Sequence, residues 1–309
     1  MSNQNRLSNL LEFVTTVQTG SFTSAGHKLG LTGSAVGKSV SRLEARLGVK
    51  LLHRTTRRVS LTKEGSAYLE SCLRLLEELD ITEQALATGN DVPAGHVRLE
   101  LPGAFGRRHI LPAINTIALR HGLLKFSLMF SERPADIISD GIDLAIRIGN
   151  LQDNSELVAK RLGAQKLVIC ASPDYLERCG VPASPEDLLA RDCVTGWRRP
   201  GQHSWILKDK SGRDLRFPVN PRFEMSDGEG MVSAVMAGCG LCQLPTWLID
   251  KELADGSLVT VMDKYAGAQM PIHALWPKTP YPKPKIRVIV DELRRVAKQN
   301  GDIFGSMKP

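Results

Sequence analysis

The chain lacks long apolar runs and the signals of secretion. No stretch of about eighteen apolar residues occurs, which excludes a membrane-spanning helix. The first residues, MSNQNRLSNLLEFVTT, lack the basic-then-apolar order and the small-residue cleavage site of a signal peptide. We therefore expect a cytoplasmic protein without a membrane partner.

The residue patterns of common enzymes are also missing. The sequence contains no G-x-S-x-G elbow, no H-E-x-x-H zinc motif, no P-loop and no Rossmann glycine run, and its seven histidines are scattered. We therefore predict neither catalytic residues nor a metal or other cofactor.

Cysteine is present, but not in the arrangement of a disulfide framework. Six cysteines occur in 309 residues, and most lie in apolar stretches such as LVICAS, where a thiol packs as a small hydrophobic group. Cys239 and Cys242 have C-x-x-C spacing, yet without a second pair or nearby histidines this is weak support for zinc. We favour core packing. A thiol-based redox sensor is the alternative, and it would need reactive cysteines of low pKa.

Positive charge is confined to one end of the chain. The net charge is +7, and residues 1–64 hold ten lysines and arginines against three acids, so the remainder is balanced. A local excess of this kind predicts a polyanionic partner for the N-terminal fifth alone. A solvated basic face without a partner is the alternative that charge by itself leaves open.

The N-terminal residues predict three helices. Apolar residues spaced three and four apart over residues 7–17 indicate a first amphipathic helix, which Gly20 ends. SFTSAGHKLG supplies hydroxyl caps and a short second helix that ends at Gly30, and Thr32 is a cap for the third. Two short helices joined by a tight glycine-containing turn form a helix-turn-helix, whose second helix enters the DNA major groove.

The predicted third helix, in LTGSAVGKSVSRLEARLG, is narrow on the side that would face DNA. Its apolar residues Val36, Val40, Leu43 and Leu47 are spaced four, three and four apart, which places them on one face of the helix. The opposite side carries small residues that let the backbone approach, and Lys38 is placed to reach guanine or phosphate. LLHRTTRRVSLT then predicts two short strands around a basic tip, a wing whose arginines would grip phosphates or enter the minor groove. The candidate DNA contacts are Thr23, Ser34, Lys38, Ser39, Arg42, Arg54, Arg57 and Arg58.

The segment from SFTSAGHKLG to SLTKEG resembles, over its whole length, the winged helix-turn-helix of the LysR-type transcriptional regulators. It departs from the usual family pattern at Gly33, Gly37 and Gly26, where glutamine or a similar polar residue, serine and alanine respectively are common. The resemblance implies a DNA-binding regulator of bacterial transcription that acts on an operator as an oligomer.

A long helix is predicted after the wing, from about residue 62 to residue 89. Its apolar residues follow alternating steps of three and four, a heptad seam interrupted by Glu83, although ordinary core packing explains most such stripes. Pairing of two chains would multiply the affinity of a small DNA-binding head, and in LysR-type proteins this segment is the helix that pairs two subunits. The candidate dimerisation residues are Leu69, Cys72, Leu76, Leu79 and Leu86.

Strand-like and helix-like segments alternate after a hinge at NDVPAG. HVRLELP, KFSLMFS, DLAIRIG and KLVICAS are predicted strands. Helices are predicted over PADIISDG, over PEDLLA, and at about residues 105–120, 229–237 and 285–299. The alternation predicts an α/β fold with largely parallel sheets, in which ligands bind beyond the carboxyl ends of the strands.

The later stretches GIDLAIRIGNLQDNSELVAKRLG and MSDGEGMVSAVMAGCGLCQLPTWLI are similar to the effector domain of the same family. The resemblance implies a periplasmic-binding-protein-like fold of two α/β lobes that hold an inducer between them. The predicted segments are a winged helix-turn-helix at 1–62, a linker helix and hinge at 63–92, and an effector domain at 93–309, with lobe I at about 93–163 and 269–300 and lobe II at about 164–268. The candidate effector contacts are Gly103, Ala104, Phe105, Ser131, Arg147, Ser226 and Asp227.

Several of these effector contacts have a structural alternative. Arg147 lies in an apolar run and would clamp a carboxylate, or it would pair with Asp143 or Glu132. Ser226 and Asp227 are explained equally well as helix caps. PGAFG offers backbone donors but lacks the hydroxyls that often hold a carboxylate in relatives, so an anionic inducer is one option among several.

Together these patterns predict a homo-oligomeric transcriptional regulator and not an enzyme. The expected partners are double-stranded promoter or operator DNA, a small-molecule inducer, a second copy of the chain in a homodimer or homotetramer, and RNA polymerase where the protein activates. An enzyme fused to a DNA-binding head is the alternative from another class, and turnover of candidate metabolites would reveal it.

Overall fold

The computed structural model describes residues 4–54, 59–88, 92–133, 135–196, 203–279 and 283–305. The chain divides into two compact units, Met1–Asn90 (unit 1) and Asp91–Pro309 (unit 2). No helix in the described ranges is long and apolar enough to cross a membrane.

Unit 1 begins with three helices that end where the sequence predicts. They are α1 (Gln4–Thr19), α2 (Phe22–Leu29) and α3 (Gly33–Leu47). The Ser21 hydroxyl caps α2 by accepting a hydrogen bond from the Ser24 amide at 3.0 Å. The Thr32 hydroxyl caps α3 by accepting from the Ala35 amide at 3.2 Å. Gly30 ends α2 with a φ of 68°, a left-handed conformation that favours glycine.

A two-stranded wing and a long helix complete unit 1. The elements are β1 (Leu52–Arg54), β2 (Val59–Leu61) and α4 (Lys63–Thr88), and the two strands pair antiparallel. The Thr62 hydroxyl caps α4 by accepting from the Gly65 amide at 2.8 Å, and it donates to the Lys50 carbonyl at 2.7 Å. One side chain therefore ties the start of α4 to the residues that lead into the wing.

A buried carboxylate fixes the path of the chain between α3 and β1. Glu44 is 3% exposed, and its Oε1 atom accepts hydrogen bonds from the amides of Leu51 and Leu52 at 3.0 and 3.1 Å. Its Oε2 atom lies 3.1 Å from Lys50 Nζ. The carboxylate charge is thus compensated, and two buried backbone amides are satisfied.

The core of unit 1 combines apolar residues from α1, α3, the wing and α4. Phe13, Val40 and Leu43 are fully buried, and the Phe13 ring centroid lies 5.6 Å from that of Tyr68 on α4. The face of α3 that was predicted to be apolar therefore packs inward except at Leu47, which is 38% exposed at the end of the helix. The opposite face is left for solvent or a partner.

Unit 2 alternates strands and helices. The strands are β3 (Gly95–Leu101), β4 (Leu124–Phe130), β5 (Leu144–Ile148), β6 (Leu157–Ala171), β7 (Cys193–Gly196), β8 (Ser204–Lys208), β9 (Asp214–Pro218), β10 (Pro221–Met225), β11 (Leu241–Pro245), β12 (Val259–Val261) and β13 (Gln269–Pro277). The helices are α5 (Gly103–Phe105), α6 (Leu111–Arg120), α7 (Pro173–Cys179), α8 (Gly228–Met236), α9 (Asp250–Ala254), α10 (Pro284–Gln299) and α11 (Gly301–Phe304). A π-helical turn at Gly106–Ile110 joins α5 to α6, and 3-10 turns lie at Pro185–Ala190 and Thr246–Leu248. The predicted α/β class is confirmed.

One long strand, β6, belongs to two groups of strands. Residues 157–166 of β6 pair with β13, whereas residues 167–171 pair with β11 and β12. The order along the sheet is β10-β7-β11-β6-β13-β5-β3-β4, with β12 also beside β6. We name the group that contains β3, β4, β5, β13 and the first part of β6 lobe I, and the group that contains β7, β10, β11, β12 and the end of β6 lobe II.

The sheet is mixed, which corrects the expectation of largely parallel sheets. β3 pairs parallel with β4 and β5, and β7 pairs parallel with β10 and β11. However, β6 runs antiparallel to β13, β11 and β12, and β13 also runs antiparallel to β5. The chain enters lobe II along β6 and returns along β13, and these two passes must run in opposite directions.

The helix predicted over PADIISDG is wrong, because the structure forms turns at residues 137–141. The Asp136 carboxylate accepts hydrogen bonds from the amides of Ile138 and Ser139 at 3.0 and 3.1 Å. A short acidic side chain that binds nearby backbone amides competes with helical hydrogen bonding and favours a turn.

Replacing Glu44 with alanine should destabilise unit 1 by about 2–4 kcal/mol, because the amides of Leu51 and Leu52 lose a buried acceptor. All four tryptophans lie at positions 197 and beyond, so tryptophan fluorescence reports on unit 2 and far-ultraviolet circular dichroism reports on both units. In urea titrations of the full chain, we expect the dichroism transition to shift and the fluorescence transition to stay. Glu83→Ala, at an exposed position of α4, is the matched control; an equal shift in both variants would contradict the assignment.

Candidate nucleic-acid interface and effector cleft

The exposed face of α3 is narrow and open. Ser34, Gly37, Lys38, Ser41 and Arg42 line one continuous depression on this face, and a Cβ at Gly37 would meet no atom within 4 Å. Lys38 and Arg42 are exposed and lie one turn apart, so their side chains project from the same side. Small side chains around two long cationic donors suit a helix that enters the major groove.

Two of the glycines that depart from the family pattern serve the turn between α2 and α3. A Cβ at Gly26 would lie 2.6 Å from the Leu31 carbonyl oxygen. A Cβ at Gly33 would lie 3.0 Å from Cα of Thr23. The two helices therefore approach each other more closely than a larger side chain would allow without a shift of the backbone.

The other predicted DNA contacts fall into three groups. Thr23 is exposed on α2, as Ser34 is on α3. Ser39 is not: it is 2% exposed, and its hydroxyl donates to Asn9 Oδ1 at 2.8 Å. This corrects the prediction for Ser39, which ties α3 to α1. Arg57, Arg58 and the side chain of Arg54 lie outside the described residues.

The first part of the predicted dimer seam on α4 faces unit 1 itself. Cys72 is 1% exposed, and Leu69 and Leu76 pack against the same core. This corrects the prediction for Cys72, because a side chain that its own unit already covers does not line a surface for a second chain.

An apolar strip stays open further along α4. Leu75 is 53% exposed and Leu79 is 45% exposed, and the two residues lie one turn apart. The side chain of Leu86 lies outside the part of the chain that the structure describes. Leu79 belongs both to this strip and to the predicted heptad seam, whereas Leu75 lies beside the seam.

Arginines of the π-helical turn reach from lobe I to lobe II. Arg107 Nη2 lies 2.8 Å from Glu229 Oε2 and 3.9 Å from Asp227 Oδ1. Arg108 Nη2 lies 3.4 Å from Glu229 Oε1, and its Nη1 donates to the Leu248 carbonyl at 3.3 Å. The hydrogen bond from Arg107 lowers the pKa of Glu229 below its ordinary value. The π-helical turn at the end of α5 thus faces the start of α8. We call the region between them the effector cleft.

A carboxylate of the chain already occupies the first backbone donor of the cleft. The Gly103 amide donates to Glu132 Oε1 at 2.8 Å. Desolvation raises the pKa of Glu132, with a further rise from Asp227, while the Gly103 amide and Arg107 oppose that rise. A ligand carboxylate would therefore compete with Glu132 for this amide.

The side chains of Ala104 and Phe105 are buried, which corrects the predicted aromatic contact of Phe105, while the backbone amide of Ala104 stays a predicted donor. They are 4% and 2% exposed. The Phe105 ring packs edge-on against Trp247 and Phe304, with centroid distances of 5.2 and 5.4 Å. It is part of the main core of unit 2 and offers no open aromatic face to a ligand.

Arg147 forms a structural ion pair, but not with either residue that the sequence suggested. It pairs with Glu100, which is completely buried, and its Nη2 donates to the Ala135 carbonyl at 2.9 Å. Asp143 instead pairs with Lys285 at 3.0 Å. The predicted contact of Arg147 with an effector is therefore corrected, because its guanidinium is engaged inside lobe I.

The hydroxyl and carboxylate candidates near the cleft are partly engaged in local structure. The Ser131 hydroxyl donates to the Arg133 carbonyl at 2.9 Å and accepts from the Arg133 amide at 3.1 Å. Asp227 caps α8 by accepting from the Gly230 amide at 2.8 Å, as the alternative interpretation had it. Ser226 precedes this cap and is exposed.

Sequence reasoning missed the charged residues that bridge the cleft. Arg107 and Arg108 directly follow PGAFG, and Glu229 lies two residues after the candidate Asp227. Their positions beside predicted cleft segments were a usable signal. The pairing of the arginines with Glu229 could not be predicted, because more than 120 residues separate them along the chain.

Three buried cysteines of unit 2 do not have the low pKa that a redox sensor needs. Burial raises the pKa of Cys170 and of Cys193 to about 12, and it raises the pKa of Cys242 well above its ordinary value. The thiolate is the reactive form of cysteine, so burial disfavours the reactive form of these three thiols. Cys242 packs in the core of unit 2, with Cys239 against it.

Replacing Arg147 with alanine should destabilise unit 2 by about 3–5 kcal/mol, because Glu100 would be left as an uncompensated buried charge. Tryptophan fluorescence during urea unfolding measures this loss, and Lys125→Ala at an exposed site of β4 is the control. The double variant Glu100→Met with Arg147→Met should recover much of the stability. A single Arg147 variant as stable as the control would show that the pair is not structural.

Comparison with known proteins agrees with both parts of this description. The family model "Bacterial regulatory helix-turn-helix protein, lysR family" matches residues 7–66, and "LysR substrate binding domain" matches residues 90–298. The chain is 32% identical over 286 residues to the HTH-type transcriptional regulator CrgA of Neisseria meningitidis serogroup C (strain 8013), covering 92% of this chain and 94% of that protein. It is 30% identical over 302 residues to the HTH-type transcriptional activator AaeR of Escherichia coli (strain K12), covering 98% and 97%.

A solved structure has the same architecture. The structure of CrgA, a LysR-type transcriptional regulator from Neisseria meningitidis, matches with a TM-score of 0.58 and 31% identity, covering 94% of this chain and 98% of that one. With a helix-turn-helix model on unit 1 and a substrate-binding model on unit 2, the chain belongs to the LysR family of transcriptional regulators, and it is a DNA-binding regulator with an effector-binding domain.

Proposed function

We propose that α3 reads an operator through the face lined by Ser34, Gly37, Lys38, Ser41 and Arg42. The observation that carries this proposal is that these residues share one open depression on a helix whose other side is fully packed. Lys38 and Arg42 supply hydrogen bonds to base edges or phosphates, and the small residues let the helix approach. Because a protein that reads an operator must reach the DNA, we also propose a cytoplasmic location.

The effector cleft takes a small molecule at the ends of α5 and α8, where Arg107 and Glu229 meet. An anionic inducer would have to displace Glu132 from the Gly103 amide or wait for that carboxyl to be protonated. A neutral or cationic group would instead find Glu132 as an acceptor. The cleft chemistry thus argues against a simple carboxylate as the inducer.

Two copies of the chain pair through α4, so that two reading helices act on one operator. Leu75 and Leu79 form the exposed apolar strip that such pairing would bury. The doubled contacts would raise operator affinity without any new chemistry. The name of AaeR describes that protein as an activator. If the present protein also activates transcription, RNA polymerase is a further partner.

Replacing Lys38 with alanine should weaken operator binding by roughly tenfold, since one charge-assisted contact to a base or phosphate is lost. The duplex is first selected from a random-sequence library by the immobilised protein, and binding is then measured by fluorescence anisotropy at several salt concentrations. A phosphate contact predicts that the salt slope falls by about one. Lys125→Ala in unit 2 is the charge-matched control. If affinity and salt slope equal those of this control, Lys38 does not contact DNA.

Replacing Leu75 and Leu79 together with glutamate should shift the protein from dimer to monomer, because the apolar strip of α4 would become charged. Sedimentation equilibrium across micromolar concentrations measures the change, and operator affinity should fall with it. Leu189→Glu, at a site in unit 2 that is 52% exposed, is the control. A double variant that stays dimeric would place the interface elsewhere.

A further inference from the structure

A separate cavity of about 390 Å³ opens on lobe I. It lies between helix α10, the first residues of β6 and the end of β13. The described residues that line it include none of the cleft residues Arg107, Glu132 and Glu229. A cavity of this size is large enough for a small organic molecule.

The floor of this cavity is apolar. Val158 and Trp276 are opposite each other in the register of β6 and β13, so their side chains lie on one face of the sheet. Ile286 and Val290, one turn apart on α10, are 6% and 7% exposed and form the other wall. Trp276 and Val158 are only half-buried. An apolar ligand would cover the part of these side chains that the protein leaves open.

The cavity lies where helix α10 meets an outer strand of lobe I. Residues 157–166 of β6 pair with β13 and form one edge of lobe I, and β4 forms the other. Helix α10 packs against α6, β6 and β3. Beside Val158 and Lys160, at the start of β6, a gap remains between the strand and the helix.

The rim of the cavity is cationic. Four of the charged residues that line it are basic, and two are acidic: Lys160, Lys283, Arg287 and Arg294, against Asp143 and Asp291. Asp143 is already paired with Lys285 at 3.0 Å. Asp291 Oδ2 lies 4.0 Å from Arg287 Nε, and Asp291 Oδ1 lies 3.9 Å from Arg294 Nη1. Both distances are at the outer limit for an ion pair. The two acids therefore leave the rim with an excess of positive charge.

The basic residues are arranged around the apolar floor and not on a separate surface. Lys160 follows Val158 by two positions on β6 and so lies on the same face of the strand. Lys283, Arg287, Val290 and Arg294 are spaced four, three and four apart, which places them on one side of α10. An apolar ligand body in the cavity would thus have cations at its edge.

We propose that this cavity binds a small organic anion with an apolar body, of the class of aromatic or medium-chain carboxylates and sulfonates. The body lies against Trp276, Ile286 and Val290, and the anionic group lies at the rim with Lys160 and Arg287. It is a second ligand site, and it does not depend on the effector cleft.

The probe for this site is 8-anilinonaphthalene-1-sulfonate, which combines an aromatic body with one sulfonate and fluoresces when its surroundings are apolar. The full chain is titrated with the probe, and decanoate and decyltrimethylammonium are then tested as competitors. We expect saturable binding that decanoate displaces and the cation does not. The double variant Lys160→Glu with Arg287→Glu should weaken binding by roughly tenfold, because two charge-assisted contacts become repulsive.

Two further variants make the result specific to the cavity. Val158→Phe should also weaken binding, because it fills the floor without a change of charge, whereas Lys125→Glu on β4 should leave the affinity within about twofold of the unaltered chain. Near-ultraviolet circular dichroism verifies that each variant is folded.

The proposal is overturned if binding is not saturable, if decyltrimethylammonium displaces the probe as well as decanoate does, or if both cavity variants bind like Lys125→Glu. A double variant that changes the sedimentation mass but not the probe affinity would instead identify the cavity as a contact between copies of the chain, which also overturns the proposal.

Discussion

The architecture of unit 2 depends on a single strand, β6, that hydrogen-bonds to both lobes. At Lys166 its partner is β13, and at Leu167 its partner becomes β11. Because the lobes share this backbone, they cannot separate without breaking ladder hydrogen bonds, and relative motion is confined to bending near the point where the partner changes. A Cβ at Gly163, just before this point, would collide with the Phe304 carbonyl, so α11 also holds the strand closely. The backbone of β6 therefore positions the two sides of the cleft, and the side chains of the cleft are not needed to hold the lobes together.

In unit 1, the slim exposed face of α3 requires strong support from behind. A recognition helix with small outward residues gains little stability from that face, so its position must come from inward contacts. The buried hydrogen bond between Ser39 and Asn9 ties it to α1, and the Glu44 carboxylate ties its last turn to the start of the wing. The excess positive charge of the first 64 residues can then act on DNA from a rigid frame.

Local features of this chain could be predicted from the sequence, and pairings between distant residues could not. The caps at Ser21 and Thr32 follow from hydroxyl residues placed directly before apolar periodicity, and such signals span only a few positions. Arg147 shows the limit: its partner Glu100 lies 47 positions away in a neighbouring strand, while the closer acid Asp143 binds a lysine of α10. Periodicity identified the inward face of α3, but it could not show that the hydroxyl of Ser39 had a buried partner.

The two kinds of ion pair in unit 2 suggest how a ligand could act on it. The Arg147–Glu100 pair is buried and joins β5 to β3 within lobe I, whereas the Arg107–Glu229 pair across the cleft has both side chains 43% exposed. Exposed pairs of this kind contribute at most about 1 kcal/mol each. An effector that binds a rearranged cleft roughly tenfold more tightly, a preference of about 1.4 kcal/mol, would offset one of them. Because the ion pairs across the cleft are weak, a modest difference in affinity is enough to change how the lobes meet.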